Sequence, residues 1–168
     1  MTTPTYAEVG ATRELVDNPA APLPSGYRQL RHRARIGQGE TVFAKATDAL
    51  LHWRMHQAVG VRPHASASKA APGVEITTKV PFPASCVVVW VVENHAHSGF
   101  GYGTLPSHPF SGEEAFVLTL DPDETVWFSV LAFSRAHHWY TKVAGPVAPL
   151  FQRLYARRCT TKLKALAS

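Results

Sequence analysis

The sequence has few cysteines and no long hydrophobic run, and these two absences limit the class of protein. Of its 168 residues only Cys86 and Cys159 are cysteine, and neither has a metal-ligating neighbour in the sequence. A disulfide framework or zinc site is therefore not expected, and a reducing cytoplasm fits. The longest apolar run, 86–92, is too short to span a bilayer, and the N-terminus lacks the pattern of a secretory signal.

Acidic residues are also scarce, with 12 Asp and Glu against 17 Lys and Arg, and none follows Glu124. The basic residues cluster in 28–35 and 153–164. Such a cluster can attract nucleic acid or anionic lipid. Neither cluster has the interleaved aromatic residues that stack on bases, so nucleic-acid binding is not favoured. We interpret the second cluster as the solvated face of a helix.

Motifs of nucleotide-binding, hydrolytic and zinc enzymes are missing as well. Gly99, Gly101 and Gly103 are spaced by two, whereas a phosphate-binding loop needs its glycines in a turn that opens a helix. There is no GxSxG nucleophile elbow. His52 and His56 have the i, i+4 spacing that can bind a metal on a helix, but no glutamate completes an HExxH motif. We therefore expect no metal and no cofactor.

Residue periodicity predicts one domain over 27–168, preceded by an extended, proline-rich arm over 1–26. The predicted strands are 27–36, 74–80, 86–95, 99–105, 113–120 and 125–133, and the predicted helices are 40–58 and the segment after Pro146. In this last helix an apolar stripe is predicted to cover the sheet. It consists of Val147, Leu150, Phe151, Leu154 and Tyr155.

This order of elements predicts an α+β fold. Consecutive strands favour an antiparallel sheet, which has one face to cover, and a long C-terminal helix can cover it. The expected architecture is a curved antiparallel sheet wrapped around that helix. It is similar to the helix-grip fold of plant pollen allergens and polyketide cyclases. By this analogy of fold alone, an apolar cavity is expected between the sheet and the helix.

From 99 to 104, glycine alternates with Phe100, Tyr102 and Thr104. On a strand this pattern removes the side chains from one face. Something must then approach that face closely, either the packed helix or a ligand. Packing alone is the favoured interpretation.

Five segments carry a family resemblance. They are YAEVGAT (6–12), RIGQGETVFAKATDALLHW (35–53), GFGYGTLPSHPFSGEEAF (99–116), VWFSVLAFSR (126–135) and GPVAPLFQRLYARR (145–158). Together they resemble the uncharacterised protein family 0548, also called domain-of-unknown-function family 1990, over nearly the whole chain. The YGTLP-x-HP-x-SGEE block is the most specific part. The resemblance implies no particular activity, and Ala136 departs from the proline of the family pattern.

The same block concentrates the candidate catalytic residues, which are Tyr102, His108, Glu113 and, on a nearby strand, Arg135. Burial would raise the pKa of Glu113, which could then take a proton next to a carbonyl while Tyr102 or Arg135 held the oxyanion. Alternatively, Glu113 and Arg135 form a salt bridge, and His108 fixes its loop by bonding backbone carbonyls. Strand alternation puts Glu113 and Glu114 on opposite faces, so at most one faces the interior.

The leading functional hypothesis is a small cofactor-free enzyme. It would cyclise, dehydrate or isomerise an apolar, polyketide-like metabolite by acid–base chemistry. The alternatives are a non-catalytic carrier of a hydrophobic small molecule and, less favoured, a structural or nucleic-acid-associated protein. An ionisable side chain inside the cavity would favour the enzyme over the carrier. The candidate substrate-binding residues are Trp53, Trp90, Phe100, Thr104, Trp127, Phe133 and His138.

Overall fold

The computed structural model describes residues 2–79, 82–143 and 145–168. The helices are α1 (Glu14–Asp17), α2 (Glu40–Leu51), α3 (Arg54–Val59), α4 (Trp139–Val143) and α5 (Ala148–Ala167). The strands are β1 (Arg28–Gln38), β2 (His64–Ala65), β3 (Glu75–Thr78), β4 (Ala84–Glu93), β5 (His97–Thr104), β6 (Phe110–Leu120) and β7 (Thr125–Ala136). The predicted α+β class is confirmed.

Within these residues the strands form one antiparallel sheet in the order β1-β7-β6-β5-β4-β3-β2. Strands β2 to β7 follow one another as a meander, and β1 completes the far edge by pairing with β7. The predicted strand over 74–80 is observed as β3, and its last residue, Val80, lies outside the described part of the chain. The sheet curves around the C-terminal helix, which confirms the predicted helix-grip arrangement.

The inner, concave face of the sheet carries the larger core. Strand alternation places Phe100 of β5, Phe116 of β6, and Phe128 and Val130 of β7 on this side, and all four are fully buried. They belong to one cluster with buried residues of α2, α3 and α5. The side chains of this cluster occupy much of the space where the sequence predicts a cavity.

The N-terminal arm covers the outer face of the sheet. The sequence predicts an extended arm, but the arm is only partly extended. It contains a 3-10 turn (Ala11–Arg13) followed by α1. Its apolar side chains are buried because they meet a second apolar surface, on the outward side of β4, β6 and β7. This outer core joins Tyr6, Leu15, Val16, Ala21 and Leu23 of the arm to Trp90, Val92, Ala115, Val117, Leu131 and Phe133.

The single helix predicted over 40–58 is two helices, because the chain turns between α2 and α3. Trp53 has a left-handed backbone, with a φ of 65°, which interrupts the regular helix. The break separates the two histidines of the i, i+4 pair. His52 is partly exposed and lies 3.0 Å from the Asp48 carboxylate, whereas His56 is only 3% exposed. They do not form a joint metal site.

Four of the five residues of the apolar stripe predicted to cover the sheet point outward, so this prediction is wrong for all but Tyr155, which packs against the inner core. Val147, Leu150, Phe151 and Leu154 are 62, 59, 58 and 53% exposed. Periodicity reveals an apolar face but not the element that it meets. The helix packs against β1, α2 and α3 through a different face, which consists largely of small residues. Its buried residues are Ala156, Cys159, Leu163 and Ala167.

None of the described helices is long and apolar enough to cross a membrane.

Gly101 and Gly103 of β5 face the outer side of the sheet, where they make room for aromatic side chains. A Cβ atom at Gly101 would overlap the indole of Trp90, and one at Gly103 would overlap the phenol of Tyr6. Packing therefore explains the glycine pattern, but the packed neighbours are β4 and the N-terminal arm. These glycines do not line the inner cavity.

Replacing Gly103 with alanine is therefore expected to displace Tyr6 and lower the free energy of unfolding by about 1–3 kcal/mol. Urea denaturation would measure the change. In a Tyr6→Ala background the same substitution should cost much less, because the clashing ring is gone. An equal cost in both backgrounds would contradict this account of the glycine.

Candidate active site

A row of cross-strand neighbours places the candidate site on the inner face of the sheet. Val88 on β4 pairs with Tyr102 on β5, Tyr102 with Glu114 on β6, and Glu114 with Ala132 on β7. Residues directly opposite each other point to the same face. Glu114 is thus an acidic residue of the interior. The Tyr102 hydroxyl donates a hydrogen bond to its Oε2 at 3.4 Å.

The environment of Glu114 makes its carboxyl titrate near neutrality. Burial raises its pKa to about 7, against a smaller lowering by the hydrogen bond from Tyr102. The side chain nevertheless retains some accessible surface. Because Glu114 is on the inner face, this surface lies on the side of the sheet that α5 covers.

Helix α5 contributes Tyr155 and Cys159 to the surroundings of Glu114. Burial raises the pKa of Tyr102 and of Tyr155 well above the usual value, and the nearby Glu114 carboxylate adds to both shifts. Burial also raises the pKa of the Cys159 thiol to about 12. At neutral pH these groups stay protonated and can donate hydrogen bonds, while Glu114 can gain or lose a proton.

A cavity of about 300 Å³ opens at the end of the inner face, close to this cluster. Ser134 is in its wall and accepts a hydrogen bond from Nε2 of Gln152 at 3.1 Å. Ser134 and Ala132 are successive residues on the inner face of β7, about 7 Å apart along the strand. Because Glu114 pairs with Ala132, it lies one row further from the cavity than Ser134. The wall also contains Arg28, Phe110, Arg135, Thr141, Lys142, Gly145 and Ala148. The cavity wall is therefore basic.

A second titratable residue of the interior, His56 on α3, lies within an aromatic cluster. Its ring centroid is 4.9 Å from that of Phe116, 5.9 Å from Phe100, 6.0 Å from Trp53 and 6.4 Å from Tyr102. Neither ring nitrogen has a hydrogen-bond partner among the described residues. Burial lowers the pKa of His56 to about 4, so the ring is neutral at neutral pH.

Glu113, the predicted catalytic carboxylate, lies on the outer face and not in the interior. It accepts hydrogen bonds from the Tyr6 hydroxyl at 2.6 Å, the Gly10 amide at 2.7 Å and the Thr12 amide at 3.0 Å. The Thr12 hydroxyl also donates to it, and in turn accepts from Nε1 of Trp90 at 2.9 Å. The role assigned by this geometry is to anchor the N-terminal arm.

Arg135 and His108 do not meet Tyr102 in the way the sequence predicts. The Arg135 guanidinium lies 4.9 Å from the centroid of the Tyr27 ring and forms no salt bridge with Glu113 in the described structure. Arg135 does belong to the cavity wall. His108 lies in the β5–β6 loop, where Nδ1 accepts a hydrogen bond from the Phe110 amide at 3.0 Å. Burial lowers its pKa to about 4.

The predicted substrate-binding residues are divided between the two faces of the sheet. Trp53 and Phe100 lie in the inner aromatic cluster, with centroids 5.3 Å apart. Trp90 and Phe133 belong to the outer core. Trp127 also lies on the outer side, where the Arg33 guanidinium is 4.3 Å from its ring. The inner site thus contains Trp53 and Phe100 but not the other three.

The remaining two predicted residues lie near the cavity end of the sheet. Thr104, the last residue of β5, shares a hydrogen bond of 2.7 Å with the Thr5 hydroxyl of the arm. His138 stacks on Tyr140 next to α4, with ring centroids 5.4 Å apart. Neither has a described hydrogen bond to Glu114 or Tyr102.

Sequence reasoning missed Glu114, His56, Tyr155 and Cys159. For Glu114 a signal existed, because it shares the alternation of Phe116 and so belongs with the large aromatic residues of the strand. The other three come from α3 and α5, whose inward faces were not identified. No group of three or more His, Cys, Asp or Glu side chains that could hold a metal ion occurs among residues 2–79, 82–143 and 145–168.

Known proteins of similar sequence or structure show where the chain belongs. A UPF0548 protein from Deinococcus radiodurans is 34% identical over 169 residues, which cover 92% of this chain and 82% of that protein. A hypothetical protein from Helicobacter pylori shares the fold with a TM-score of 0.68 at 8% identity, over 100% of this chain and 98% of that one. A point mutant of norcoclaurine synthase from Thalictrum shares it with a TM-score of 0.56 at 7% identity, over 88% of this chain and 100% of that one.

At such low sequence identities, the similarity to these two solved structures supports the fold alone. The family is shown by sequence, because the model of the domain of unknown function DUF1990 matches residues 5–162. As the sequence motifs predict, the chain belongs to the DUF1990 family, whose curated relatives carry the name UPF0548 protein.

Proposed function

We propose that this protein binds an apolar, polyketide-like metabolite between the sheet and α5 and transfers a proton on it without a cofactor. Cyclisation, dehydration and isomerisation are reactions of this kind. The observation that carries the proposal is the Glu114 carboxyl on the inner face, with its pKa raised to about 7 beside the Tyr102 hydroxyl. A carboxyl with a pKa near the working pH has both forms available, so it can act as base and then as acid.

The neighbouring groups suit the removal of a proton next to a carbonyl. The ionised Glu114 would take the proton, and the negative charge would develop on the carbonyl oxygen. Tyr102 and Tyr155 stay protonated at neutral pH, so their hydroxyls could donate hydrogen bonds to that oxygen. In the cavity wall, Arg28, Arg135 or Lys142 could bind an acidic group of the substrate.

The test is hydrogen–deuterium exchange of 2-tetralone, an apolar ketone with acidic protons next to its carbonyl, followed by proton NMR. The wild-type protein is expected to accelerate this exchange, with a rate that rises through an apparent pKa near 7. Glu114→Gln should lower the acceleration by about 100-fold or more, since general acid–base catalysis contributes about 10²–10⁴-fold.

Glu93→Gln is the matched control, because Glu93 is an exposed glutamate at the end of β4. It should leave the exchange rate unchanged. Unchanged exchange in a folded Glu114→Gln variant would refute the role of Glu114.

The alternative function, a carrier for a hydrophobic small molecule, is favoured by the apolar character of most of the inner face. Phe100 and Phe116 form the next row of the inner face, and Val88 lies in the same row as Glu114. A carrier would bind 2-tetralone without accelerating its exchange. Binding detected by saturation-transfer NMR, together with exchange at the buffer rate, would therefore select this alternative.

A further inference from the structure

Helices α4 and α5 expose a large apolar surface next to the cavity. We call the exposed residues Trp139, Val143, Val147, Leu150, Phe151 and Leu154 the apolar patch; Trp139 and Val143 are each 77% exposed. Val147, which directly precedes α5, and the three members within α5 follow the spacing i, i+3, i+4 and i+7, so they share one side of the helix. Scattered exposed apolar residues are ordinary, whereas several on one side of a helix are typical of an interaction surface.

Basic residues surround this patch, and acidic residues are absent from this part of the sequence. Between 125 and 168 there are seven Lys and Arg residues and no Asp or Glu. Lys142 lies within α4, while Arg153, Arg157 and Arg158 are exposed on α5. A partner of this surface must therefore combine an apolar interior with negative charge. An anionic lipid bilayer has both properties.

The amino acids of the patch also suit a bilayer. Trp139 and the neighbouring Tyr140 are exposed at one end, and tryptophan and tyrosine favour the boundary between lipid headgroups and acyl chains. A helix that lies in this boundary has apolar residues on one side and Lys and Arg around them. α5 has this arrangement over its first two turns.

A second copy of the chain fits this surface less well. A two-fold contact would place the same patch of both copies face to face. Arg153, Arg157 and Arg158 would then meet their own counterparts without any acidic residue of α4 or α5 to neutralise them. Like charges in such a contact repel each other.

We propose that the apolar patch and its basic border dock this protein on an anionic membrane surface. The helices would lie in the plane of the headgroups. Lys142 of α4 and Ala148 and Gln152 of α5 line the cavity, so docking would bring the cavity close to the lipid. An apolar ligand could then pass between bilayer and cavity with little exposure to water. The docking itself does not depend on the proposed proton-transfer chemistry.

The test uses the full chain and two kinds of vesicle, pure phosphatidylcholine and an equal mixture of phosphatidylcholine and phosphatidylglycerol. In co-sedimentation at low salt the protein is expected to bind the anionic vesicles at least about tenfold more tightly than the neutral ones. Added salt should weaken this binding because it screens the basic border.

Two sets of variants make the test specific. Leu150→Ser combined with Phe151→Ser should lower binding at least about tenfold, and Val9→Ser, at an exposed valine of the N-terminal arm, should leave it unchanged. Arg153→Gln combined with Arg157→Gln should remove the preference for anionic vesicles, whereas Lys69→Gln should preserve it. Thermal unfolding would verify that each variant is folded.

Equal binding to neutral and anionic vesicles, or no binding to either, would overturn the proposal. So would unchanged binding of the patch variants. Self-association of the wild type in gel filtration that Leu150→Ser and Phe151→Ser abolish would assign the patch to a second copy instead.

Discussion

Replacing Glu113 with glutamine is expected to lower the free energy of unfolding by about 3 kcal/mol. The buried Glu113 carboxylate accepts hydrogen bonds from Tyr6, Gly10 and Thr12, so every one of these partners is a donor. An amide has one oxygen, and its NH₂ group would face donors and leave them without an acceptor. Urea denaturation would measure the loss, and limited proteolysis would show whether the N-terminal arm is released first.

Glu114→Gln is the matched control for this prediction, because it changes the next residue by the same chemical step. The Glu114 side chain points into the interior, and about half of its carboxyl groups are neutral at pH 7. The substitution should not lower the free energy of unfolding at pH 7, because it removes a carboxyl whose raised pKa already opposes folding at that pH. If the two variants were equally stable, the role of Glu113 as the anchor of the arm would be disproved.

The pH dependence of stability is expected to change strongly when His56 is replaced by phenylalanine. In the unfolded chain histidine has a pKa of about 6.5, whereas burial lowers the pKa of His56 to about 4 in the folded protein. Between these values the unfolded state binds more protons, so stability due to neutral His56 is complete above pH 6.5 and is lost as the pH falls toward 4. The loss is about 3 kcal/mol for this shift.

Urea denaturation of the wild type and of His56→Phe from pH 7.5 to pH 4 would measure this effect. The wild type should lose about 3 kcal/mol more than the variant over this range. His95→Gln, at an exposed histidine, serves as control and should follow the wild type. If His56→Phe followed the wild type as well, His56 would not be a buried neutral histidine.

Glu114 should act in the opposite direction. Its pKa is raised on folding, so the folded state binds more protons than the unfolded state between the two values. The stability due to the protonated carboxyl is present below the unfolded pKa and is lost as the pH rises through about 7. In the same series Glu114→Gln should therefore lose more stability than the wild type as the pH falls.

Strand alternation predicts which residues of the 99–116 block share a face, but not which face is inside. Glu113 belongs with Gly103 and Glu114 with Tyr102, and this pairing depends on the register of β5 and β6. The glycines suggested an open space beside them. In the fold, Tyr6 and Trp90 fill that space. Both come from distant parts of the sequence, so the local pattern contained no sign of them.

The C-terminal helix illustrates the same limit. Its periodicity correctly predicts a helix and an apolar face, since both depend on residues close in sequence. Which side of α5 meets the sheet depends instead on how closely β1, α2 and α3 approach it. This contact selects Ala156, Cys159 and Ala167. The more apolar side is left exposed.

By itself the sequence determined the α+β class, most of the long strands and the family, because these depend on local alternation and on contiguous motifs. Only the tertiary structure decided that Glu114, and not Glu113, faces the interior with Tyr102, Tyr155 and His56. The physical reason is that burial and pKa arise from neighbours far apart in the chain. Their positions follow from strand register and helix packing, which no local pattern encodes.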